Sequence, residues 1–551
     1  MQAGTMNIAE AVGAALVDLG VRDSFGLIGS GNFLVTNAIV ETGGRFVAAR
    51  HECAAVSMAD GYARVTGRPG VATVHQGPGL TNATTALAEA AKARTPLVLI
   101  AADTSAGAIR SNFRIDQAAL ASAVGAIHVR ARSPDSVLED LAEAWRQAAV
   151  GRRAVLFSLP LDVQAAPAPG EKITTPEPPR PRSPAPEDVH RVADLLAAAR
   201  APVIVAGRGA VQAGAGPALE ALGARAGALL ATSANGHGLF AGNPWNLGIS
   251  GGFAPPTAAR LLREADVVLA VGASLNMWTT RHGELIGPDA RVIQVDVDPD
   301  AIGAHRAVDA ALLADARLAV ESVIAELARR AHMQQGFRRE DIARAIAAGG
   351  WRDIHHEDAS TGDHIDPRTF SKALDAVLPI ERIVVVDSGH FMGWPPMYLS
   401  VPDAAGFVFT QSFQSIGLGL SSAIGAAVAR PDRLTVACLG DGGALMAAGE
   451  FETLVRLCIP MLVVVYNDAA YGAEVHHFGP QGRPVDLVRY PDPDLAGLAR
   501  GLGAGATTVR SLDDLGPLEK WLERRDEPFV LDAKVVPDVV AEWLEEAFRA
   551  H

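Results

Sequence analysis

Short apolar runs recur along the whole chain, separated by longer stretches whose apolar positions have helical spacing. The runs predict buried parallel strands, because a strand covered on both faces has no need of alternating polar positions. They lie at residues 70–74, 96–103, 154–160, 202–207, 266–273, 291–298, 382–389, 434–442 and 461–468. Strands alternating with helices predict doubly wound α/β domains, in which ligands bind at the carboxyl ends of the strands.

Two changes in composition divide the 551 residues. Residues 167–186 are rich in proline, which excludes a helix or a central strand and predicts an extended linker. A second, softer change begins after a charged helical stretch that ends near Arg330. We therefore expect three domains with parallel sheets, at residues 1–166, 188–332 and 367–551, joined by linkers at residues 167–187 and 333–366.

Charge and cysteine usage narrow the function classes. The formal net charge of −14 makes nucleic acid a poor partner. The three cysteines, Cys53, Cys438 and Cys458, form no C-x-x-C pair, which argues against a disulfide framework or a zinc site. The first residues predict an amphipathic helix rather than a signal peptide, and no apolar run is long enough for a membrane span. A cytoplasmic protein without a membrane partner is the expectation.

Two oxygen-bearing side chains follow neighbouring apolar runs near the carboxyl end. Asp441 stands between Gly440 and Gly442, and Asn467 follows the next run, one βαβ crossover later. Mg²⁺ prefers oxygen ligands and takes one or two carboxylates, while glycines let a diphosphate approach the backbone and a helix N-terminus. The alternative is a simple turn at Asp441 with Asn467 as a helix cap.

This spacing of G-D-G and Asn resembles the thiamine-diphosphate (ThDP) binding motif of the superfamily that contains 2-keto acid decarboxylases, benzaldehyde lyase and acetolactate synthases. In that family the first of two asparagines is a metal ligand, so the resemblance implies that Asp441, Asn467 and the backbone carbonyl of Ala469 hold Mg²⁺. The second asparagine of the family motif is replaced here by Asp468.

Other segments of the last third are similar to the cofactor contacts of the same family. The resemblance implies that Ser388, Gly389 and His390 touch the diphosphate. It also implies that Ile416 supports the thiazolium ring and that the carbonyl of Gln414 meets the 4′-amino group. The remaining contacts implied for the cofactor are Gly440, Asp441, Gly442, Gly443, Asn467, Tyr471 and Gly472.

The first third resembles the pyrimidine-binding domain of that family, through RFVAA, His-Glu and A-D-G-Y-A-R at residues 45–64. The resemblance implies that Glu52 shares a proton with N1′ of the cofactor and thereby activates its C2 carbon as an ylid. Asn82, in a loop that follows glycines, is expected against the cofactor or a partner subunit. From the residues alone, Glu52 is an ordinary acid at a helix start, and Asn82 is a helix cap.

The residues that determine substrate specificity vary within the family. Ser30 and His75 stand where benzoylformate decarboxylases carry a serine and a catalytic histidine, and Glu474 resembles the proton-transferring glutamate of pyruvate decarboxylases. We expect these three to be catalytic, with Gln76, Gln117 and His476 in the substrate pocket. The structural alternatives are a buried histidine at position 75, an exposed helix-start acid at Glu474 and a solvent-facing ring at His476.

The middle third resembles the central Rossmann-like domain of the family, which binds FAD in acetolactate synthases. Where those enzymes read R-F-D-D-R, this chain has Ser274, Leu275, Asn276, Met277 and Trp278. The missing arginine argues against a true acetolactate synthase and leaves FAD open.

The sequence therefore predicts a ThDP- and Mg²⁺-dependent lyase or carboligase that decarboxylates a small 2-keto acid. The alternatives are an acetolactate-synthase-like transferase and a lyase or hydrolase of hydroxyketones or diketones. A nicotinamide dehydrogenase is disfavoured, because residues 29–34 lack the last glycine of its fingerprint. The resemblance implies an obligate homo-oligomer, a dimer or a tetramer, with ThDP between the pyrimidine domain of one subunit and the diphosphate domain of another.

Overall fold

Three six-stranded parallel sheets form the framework of the computed structural model, which describes residues 6–170, 172–174, 180–333 and 336–547. The first sheet contains β1 Asp23–Gly26, β2 Arg45–Ala48, β3 Gly70–Val74, β4 Leu97–Asp103, β5 Ile127–Arg130 and β6 Ala154–Pro160. The second contains β7 Pro202–Ala206, β8 Leu229–Thr232, β9 Asn246–Ile249, β10 Val267–Val271, β11 Arg291–Asp296 and β12 Ala310–Leu313. The third contains β13 Arg382–Val386, β14 Phe407–Phe409, β15 Leu434–Gly440, β16 Leu462–Asn467, β17 Gly505–Val509 and β18 Phe529–Lys534.

The strand orders are β2-β1-β3-β4-β6-β5, β12-β11-β10-β7-β8-β9 and β14-β13-β15-β16-β18-β17. In each sheet the strand that comes first in the chain (β1, β7 or β13) lies inside the sheet, and later strands are added on both of its sides, as in doubly wound sheets. Both faces of the strands are buried: Ile383 and Val385 pack on one side of the third sheet, and Val384 and Val386 on the other. The predicted fold class of three α/β domains is confirmed, and each of the nine predicted runs contains a strand.

Helices connect the strands. Those of the first third are α1 Ile8–Asp18, α2 Phe33–Glu41, α3 Glu52–Thr66, α4 Pro78–Asn82, α5 Thr84–Lys92, α6 Gln117–Ala123, α7 Val137–Ala149 and α8 Leu161–Gln164. The middle third has α9 Pro186–Ala198, α10 Arg208–Gln212, α11 Gly216–Ala226, α12 Pro256–Arg263, α13 Met277–Thr280 and α14 Ala316–Arg329, followed by α15 Glu340–Ala347. The last third has α16 Pro367–Val377, α17 Trp394–Tyr398, α18 Gly419–Ala429, α19 Asp441–Met446, α20 Gly449–Arg456, α21 Gly472–Phe478, α22 Leu495–Leu502, α23 Gly516–Arg524 and α24 Trp543–Ala547.

Helix α3 is central to the architecture. It begins where the His51 side chain accepts a hydrogen bond from the Cys53 N–H, and it ends at Gly67, which has a left-handed φ of 69°. It packs against α18 so closely that a Cβ at Gly61 would lie 2.0 Å from the Ser422 carbonyl oxygen. A single apolar cluster consequently runs from the first sheet through these two helices into the third sheet.

The predicted linkers differ from each other. In residues 167–187 the described parts form no strand, apart from one bridge at Pro167, and α9 begins at Pro186. Residues 171 and 175–179 of this prediction lie outside the described residues. The segment 333–366 contains α15, whose Ile342 is buried against the central domain. The domain boundaries themselves stay predictions. Within the described residues, no helix combines the length and the apolar character that crossing a membrane requires.

Candidate active site

The strand order brings two sets of predicted residues to sheet edges. In the third sheet, β13, β15 and β16 are neighbours, and their carboxyl ends carry Asp387, Asp441 and Asn467. In the first sheet, β2, β1 and β3 are neighbours, and Glu52 and His75 follow β2 and β3. Carboxyl ends of parallel strands share one edge, which explains how residues distant in the chain can act together.

Asp441 is the first residue of α19 and is buried, with 4% of its surface exposed. Burial raises the pKa of its carboxyl to about 6. The glycines beside it are tightly surrounded: a Cβ at Gly443 would lie 2.5 Å from Asp387 Oδ2, and one at Gly442 would lie 2.5 Å from Cε1 of Tyr471. Only glycine therefore lets the backbone of this helix start approach its neighbours so closely.

The side chain of Asn467 is already hydrogen-bonded within the protein. Its Nδ2 donates to Asp532 Oδ1 over 2.8 Å, and its Oδ1 accepts from the Ala469 N–H over 3.1 Å. Asp532 is itself paired with the buried Lys534, at 2.9 Å. The Ala469 carbonyl, the other predicted ligand, accepts from the Tyr490 N–H over 2.8 Å. The Asn467 side chain and the Ala469 carbonyl, two of the three predicted metal ligands, thus already have protein partners.

The carboxyl of Asp468 lies close enough to Asp441 to be affected by its charge. The pKa of Asp468 is raised to about 8, mainly by burial and secondly by the negative charge of Asp441. Its Oδ1 accepts from the Ala470 N–H over 3.2 Å, and a Cβ at Gly472 would lie 2.4 Å from its Oδ2. Two carboxylates, each with a raised pKa and one of them raised further by the charge of the other, form a site that a cation stabilises. The sequence reasoning missed Asp468, although a carboxylate directly after an apolar run was a signal for it.

His390 lies on the same edge and serves as a neutral donor. Its Nε2 accepts from the Ala541 N–H over 2.9 Å, and burial lowers its pKa to about 3. The ring proton is therefore on Nδ1, the atom that a Cβ at Gly472 would approach to 3.3 Å. The His476 ring lies 4.4 Å from the His390 ring, and its buried Nε2 has no partner among the described residues.

The loop between β14 and α18 holds Gln414 and Ile416. Gln414 has a left-handed φ of 61°, which is unfavourable for a residue with a side chain. Asp387 accepts from the N–H groups of Gly417 (2.8 Å) and Leu418 (3.2 Å), and burial raises its pKa to about 6. Gln414 is exposed and Ile416 is half-buried, so both side chains remain accessible beside the carboxylate edge.

The first sheet presents a second acidic site. Glu52 has 9% of its surface exposed, and its Oε2 accepts from Asn82 Nδ2 over 3.0 Å. A Cβ at Gly79 would lie 3.5 Å from Glu52 Oε1 and 3.3 Å from the Cβ of His75, which places the three residues together. His75 Nδ1 accepts from the Gly31 N–H over 3.1 Å, and burial lowers the pKa of the ring. The neutral ring therefore carries its proton on Nε2.

The other substrate candidates divide into two groups. Ser30 is exposed beside His75, and the Gln76 Oε1 atom is buried without a partner among the described residues. Gln117 is tied into the sheet, because its amide donates to Ala102 (2.8 Å) and accepts from Ser158 (2.5 Å). Glu474 is exposed in the first turn of α21. Gln117 is thus held by two partners within the protein, whereas Ser30 and Glu474 are open to solvent.

A cavity of about 560 Å³ is lined by residues of all three thirds of the chain. Its wall includes the segment that replaces R-F-D-D-R, with Asn276 capping α13 through the Thr279 N–H, and it extends to Gln414 and Trp543. Arg94 and Asp298 form an ion pair in the same wall.

The residues present suit a diphosphate with a divalent cation. The paired carboxylates of Asp441 and Asp468 match the cation, while the glycines at the start of α19 and the Nδ1–H of His390 match phosphate oxygens. The fold thus has three doubly wound sheets, with Asp441 at an edge of the third and Glu52 at an edge of the first. This arrangement is that of an α/β enzyme that binds a diphosphate cofactor.

Comparison with known proteins gives the family. Residues 6–121, 189–323 and 387–533 match the N-terminal TPP binding domain, the central domain and the C-terminal TPP binding domain of thiamine pyrophosphate enzymes. The chain is 31% identical to a probable 2-ketoarginine decarboxylase of Pseudomonas aeruginosa, with 93% of this chain and 91% of that protein covered. The chain belongs to the thiamine pyrophosphate enzyme family and is a ThDP-dependent enzyme.

Two further relatives show the range of the family. A sulfoacetaldehyde acetyltransferase of Rhodobacter capsulatus is 30% identical, with 97% of this chain and 98% of that protein covered. The acetolactate synthase isozyme 2 large subunit of Escherichia coli is 28% identical, with 96% of each chain covered. The relatives therefore include a decarboxylase and two classes of transferase.

Proposed function

We propose that the protein decarboxylates a 2-keto acid with ThDP and Mg²⁺, and that Glu52 activates the cofactor. The observation that carries the proposal is the pairing of two acidic edges, Glu52 with Asn82 on the first sheet and Asp441 with Asp468 on the third. ThDP, when bound, supplies a nucleophilic carbon that adds to the substrate carbonyl and stabilises the charge left after a carbon–carbon bond breaks.

The metal ligands of this proposal differ from those that the sequence resemblance implies. Asp441 and Asp468 hold Mg²⁺, together with the backbone carbonyl of Ala470, two residues beyond Asp468. Asn467 is not a ligand in this proposal, because its side-chain amide donates to Asp532 and accepts from the Ala469 N–H. His390 donates its Nδ1–H to the diphosphate, and Gly440, Gly442 and Gly443 let that group approach the start of α19.

Glu52 holds a proton for N1′ of the cofactor with Oε1, the oxygen that Asn82 leaves unbonded among the described contacts. Asn82 keeps the carboxylate oriented, which is a requirement for proton transfer between positioned groups. The neutral His75 donates from Nε2 to a substrate oxygen, because Gly31 occupies Nδ1. Ser30, Gln76, Glu474 and His476 complete the substrate cleft.

An oligomer is part of the proposal. Large apolar side chains next to both edges are exposed in the single chain: Phe33 (47%) and Leu34 (42%) on α2, and Leu445 (47%) and Met446 (62%) on α19. A homodimer or tetramer that covers them would bring the Glu52 edge of one subunit to the Asp441 edge of another. Light scattering at micromolar concentration tests this, and a stable monomer that binds ThDP and turns over substrate would refute it.

The reaction is tested by measuring CO₂ release from pyruvate, branched, aromatic and guanidino 2-keto acids, with ThDP and Mg²⁺ present. The guanidino acid is included because of the 2-ketoarginine decarboxylase relative. Glu52→Gln is the control variant, since glutamine keeps an oxygen for Asn82 but does not exchange the proton. We expect release that requires both cofactors and Glu52. Turnover by Glu52→Gln at the wild-type rate would refute the role of Glu52.

An acetyl or acyl transferase is the second candidate, favoured by the acetyltransferase and acetolactate synthase relatives. Adding sulfoacetaldehyde, or a second 2-keto acid, to the same reactions distinguishes it. Consumption of the second substrate in proportion to the CO₂ released supports a transferase, whereas free aldehyde product supports the decarboxylase. The proposal includes no flavin, because the arginine of R-F-D-D-R is replaced. If ThDP is bound and no 2-keto acid reacts, a lyase or hydrolase of hydroxyketones or diketones becomes the better assignment.

A further inference from the structure

The loop that carries Gln414 and Ile416 is held at both ends by buried carboxylates from different thirds of the chain. On its carboxyl side, Asp387 of the third sheet binds the N–H groups of Gly417 and Leu418. On its amino side, the carboxylate comes from Glu89 on α5, which belongs to the first third. The conformation of this loop therefore depends on a residue outside the domain that contains it.

Glu89 makes two backbone contacts with the loop. Its Oε1 accepts from the Ser412 N–H over 3.1 Å, and its Oε2 accepts from the Phe413 N–H over 2.5 Å. Only 2% of its surface is exposed. Hydrogen bonds between backbone N–H groups and a buried carboxylate are charge-assisted and stronger than those between neutral groups. The two residues that precede Gln414 are consequently fixed in orientation.

Arg64 on α3 holds this carboxylate in place. Its guanidinium binds Glu89 Oε1 and Asp60 Oδ2, each over 2.7 Å. It also donates to the Phe409 carbonyl over 2.9 Å, at the end of β14. One cation thus joins two acids of the first third to the strand and the loop of the last third. A buried network of this kind resists rearrangement, because each lost partner leaves a charge unpaired.

The strained residue lies between the two anchors. A left-handed backbone is unfavourable at a residue other than glycine, so Gln414 keeps its φ of 61° only while the surrounding structure enforces it. Glu89 fixes the peptide groups at residues 412 and 413, and Asp387 fixes those at residues 417 and 418. Among the described residues, no carboxylate anchors the span from Gln414 to Ile416, and the Gln414 carbonyl has only a weak contact with the Ser388 hydroxyl, at 3.5 Å.

We propose that Glu89 is a positioning residue for the cofactor. Through its hydrogen bonds to residues 412 and 413, it holds the Gln414 carbonyl and the Ile416 side chain in the conformation that receives the aminopyrimidine and the thiazolium ring. The inference rests on the proposed function in one respect, the contact of Gln414 and Ile416 with ThDP. It is independent of the substrate, of the proton relay at Glu52 and of the metal ligands.

Binding measurements test the inference without turnover. Wild type and Glu89→Gln are titrated with ThDP and, separately, with inorganic diphosphate, both in saturating Mg²⁺, and followed by tryptophan fluorescence. Inorganic diphosphate requires only the proposed metal site at Asp441 and Asp468 and the start of α19, whereas ThDP also requires the loop that carries Gln414 and Ile416. We expect Glu89→Gln to weaken ThDP binding by about 10- to 100-fold, the range of a lost hydrogen bond to a charged group. Its affinity for inorganic diphosphate should match that of the wild type.

A matched control separates positioning from general stability. Asp266 accepts from two consecutive N–H groups, of Arg200 (2.7 Å) and Ala201 (2.9 Å), but in the middle third. Asp266→Asn should leave both affinities unchanged. If Glu89→Gln does not fold, Glu89→Asp retains the charge next to Arg64 but retracts the carboxylate, and we expect a smaller selective loss of ThDP affinity.

The outcomes are distinct. Equal weakening of ThDP and inorganic diphosphate, or unchanged affinity for ThDP, would overturn the positioning role. A change in the near-ultraviolet circular dichroism of bound ThDP, at saturation, in Glu89→Gln but not in Asp266→Asn would support it. Failure of the proposed decarboxylation shows itself differently, as wild-type protein that binds ThDP normally but releases no CO₂.

Discussion

Asp468→Asn separates the charge of this side chain from its capacity to bind a metal ion, since asparagine keeps one ligand oxygen. The ion binds the ionised carboxylate, so in the wild type it must displace a proton from a group whose pKa is about 8. Because the pKa is raised, protonation competes with the ion strongly below pH 8 and diminishes progressively above it. Affinity for Mg²⁺ should therefore rise with pH and level off only well above pH 8.

The size of the effect follows from the two pKa values. Between pH 6.5 and pH 8, the ionised fraction of a group with a pKa near 8 grows from about 3% to about 50%, which is about a 15-fold gain in apparent affinity. Asp441, with a pKa of about 6, is mostly ionised over that interval and adds a factor of about 1.3. In Asp468→Asn only the small factor should remain.

The assay is a titration of Mg²⁺ into protein saturated with ThDP, at several pH values, by tryptophan fluorescence or calorimetry. Protonation of the ThDP diphosphate affects both proteins equally and cancels in the comparison of wild type with variant. Equal pH dependence in the two proteins would refute the assignment of Asp468 as a ligand. The same measurement on Asn467→Asp provides the contrast, because a charge at that position would face Asp532 rather than the metal.

Asn467→Ala should lower the free energy of unfolding of the metal-free protein by about 1–3 kcal/mol, because Asp532 loses a buried partner; wild-type stability in urea would contradict this. Gly61→Ala should destabilise by more than Gly501→Ala, since a Cβ meets the Ser422 carbonyl oxygen at 2.0 Å in the first case and nothing within 4 Å in the second. Melting temperatures of the two variants decide it, and equal values would disprove the close helix crossing. ThDP with Mg²⁺ at about 100 times the dissociation constant should stabilise the protein by about 2.7 kcal/mol. Chelation of the metal should reverse that gain, and an unchanged melting temperature would argue against the site.

Uninterrupted apolar runs were sufficient to predict nine strands, because burial on both faces leaves a direct mark in the sequence. Strand β18 escaped this reasoning although it lies inside the third sheet. Its Asp532 and Lys534 are buried, and they pair with each other and with neighbours that only the fold brings near. A charged residue is usually exposed, so a buried ion pair conceals a strand from any pattern based on hydrophobicity.

The proposed metal site at the end of β16 is also hard to predict from the sequence, here for a single residue. The apolar run before Asn467 and Asp468 locates the edge correctly, but the direction of each side chain depends on the turn that follows. Ala469 has a left-handed φ of 54°, which a non-glycine residue rarely adopts, and it changes the course of the backbone there. The resemblance to the family motif favoured Asn467, and sequence reasoning has no means to anticipate that conformation at an alanine.

The close crossing of α3 and α18 limits how this chain can be recombined with its relatives. A Cβ at Gly425 would lie 1.9 Å from the Met58 carbonyl oxygen, so each helix reserves space for the backbone of the other. A chimaera that takes α3 from one parent and α18 from another must match both glycines at once. The middle sheet has apolar clusters of its own, but it also meets the last third closely at one point, where a Cβ at Gly238 would lie 2.3 Å from the Asp403 carbonyl oxygen. Gene-shuffling libraries should accordingly inherit the first and last thirds as a unit and exchange the middle only among parents that keep a glycine at position 238.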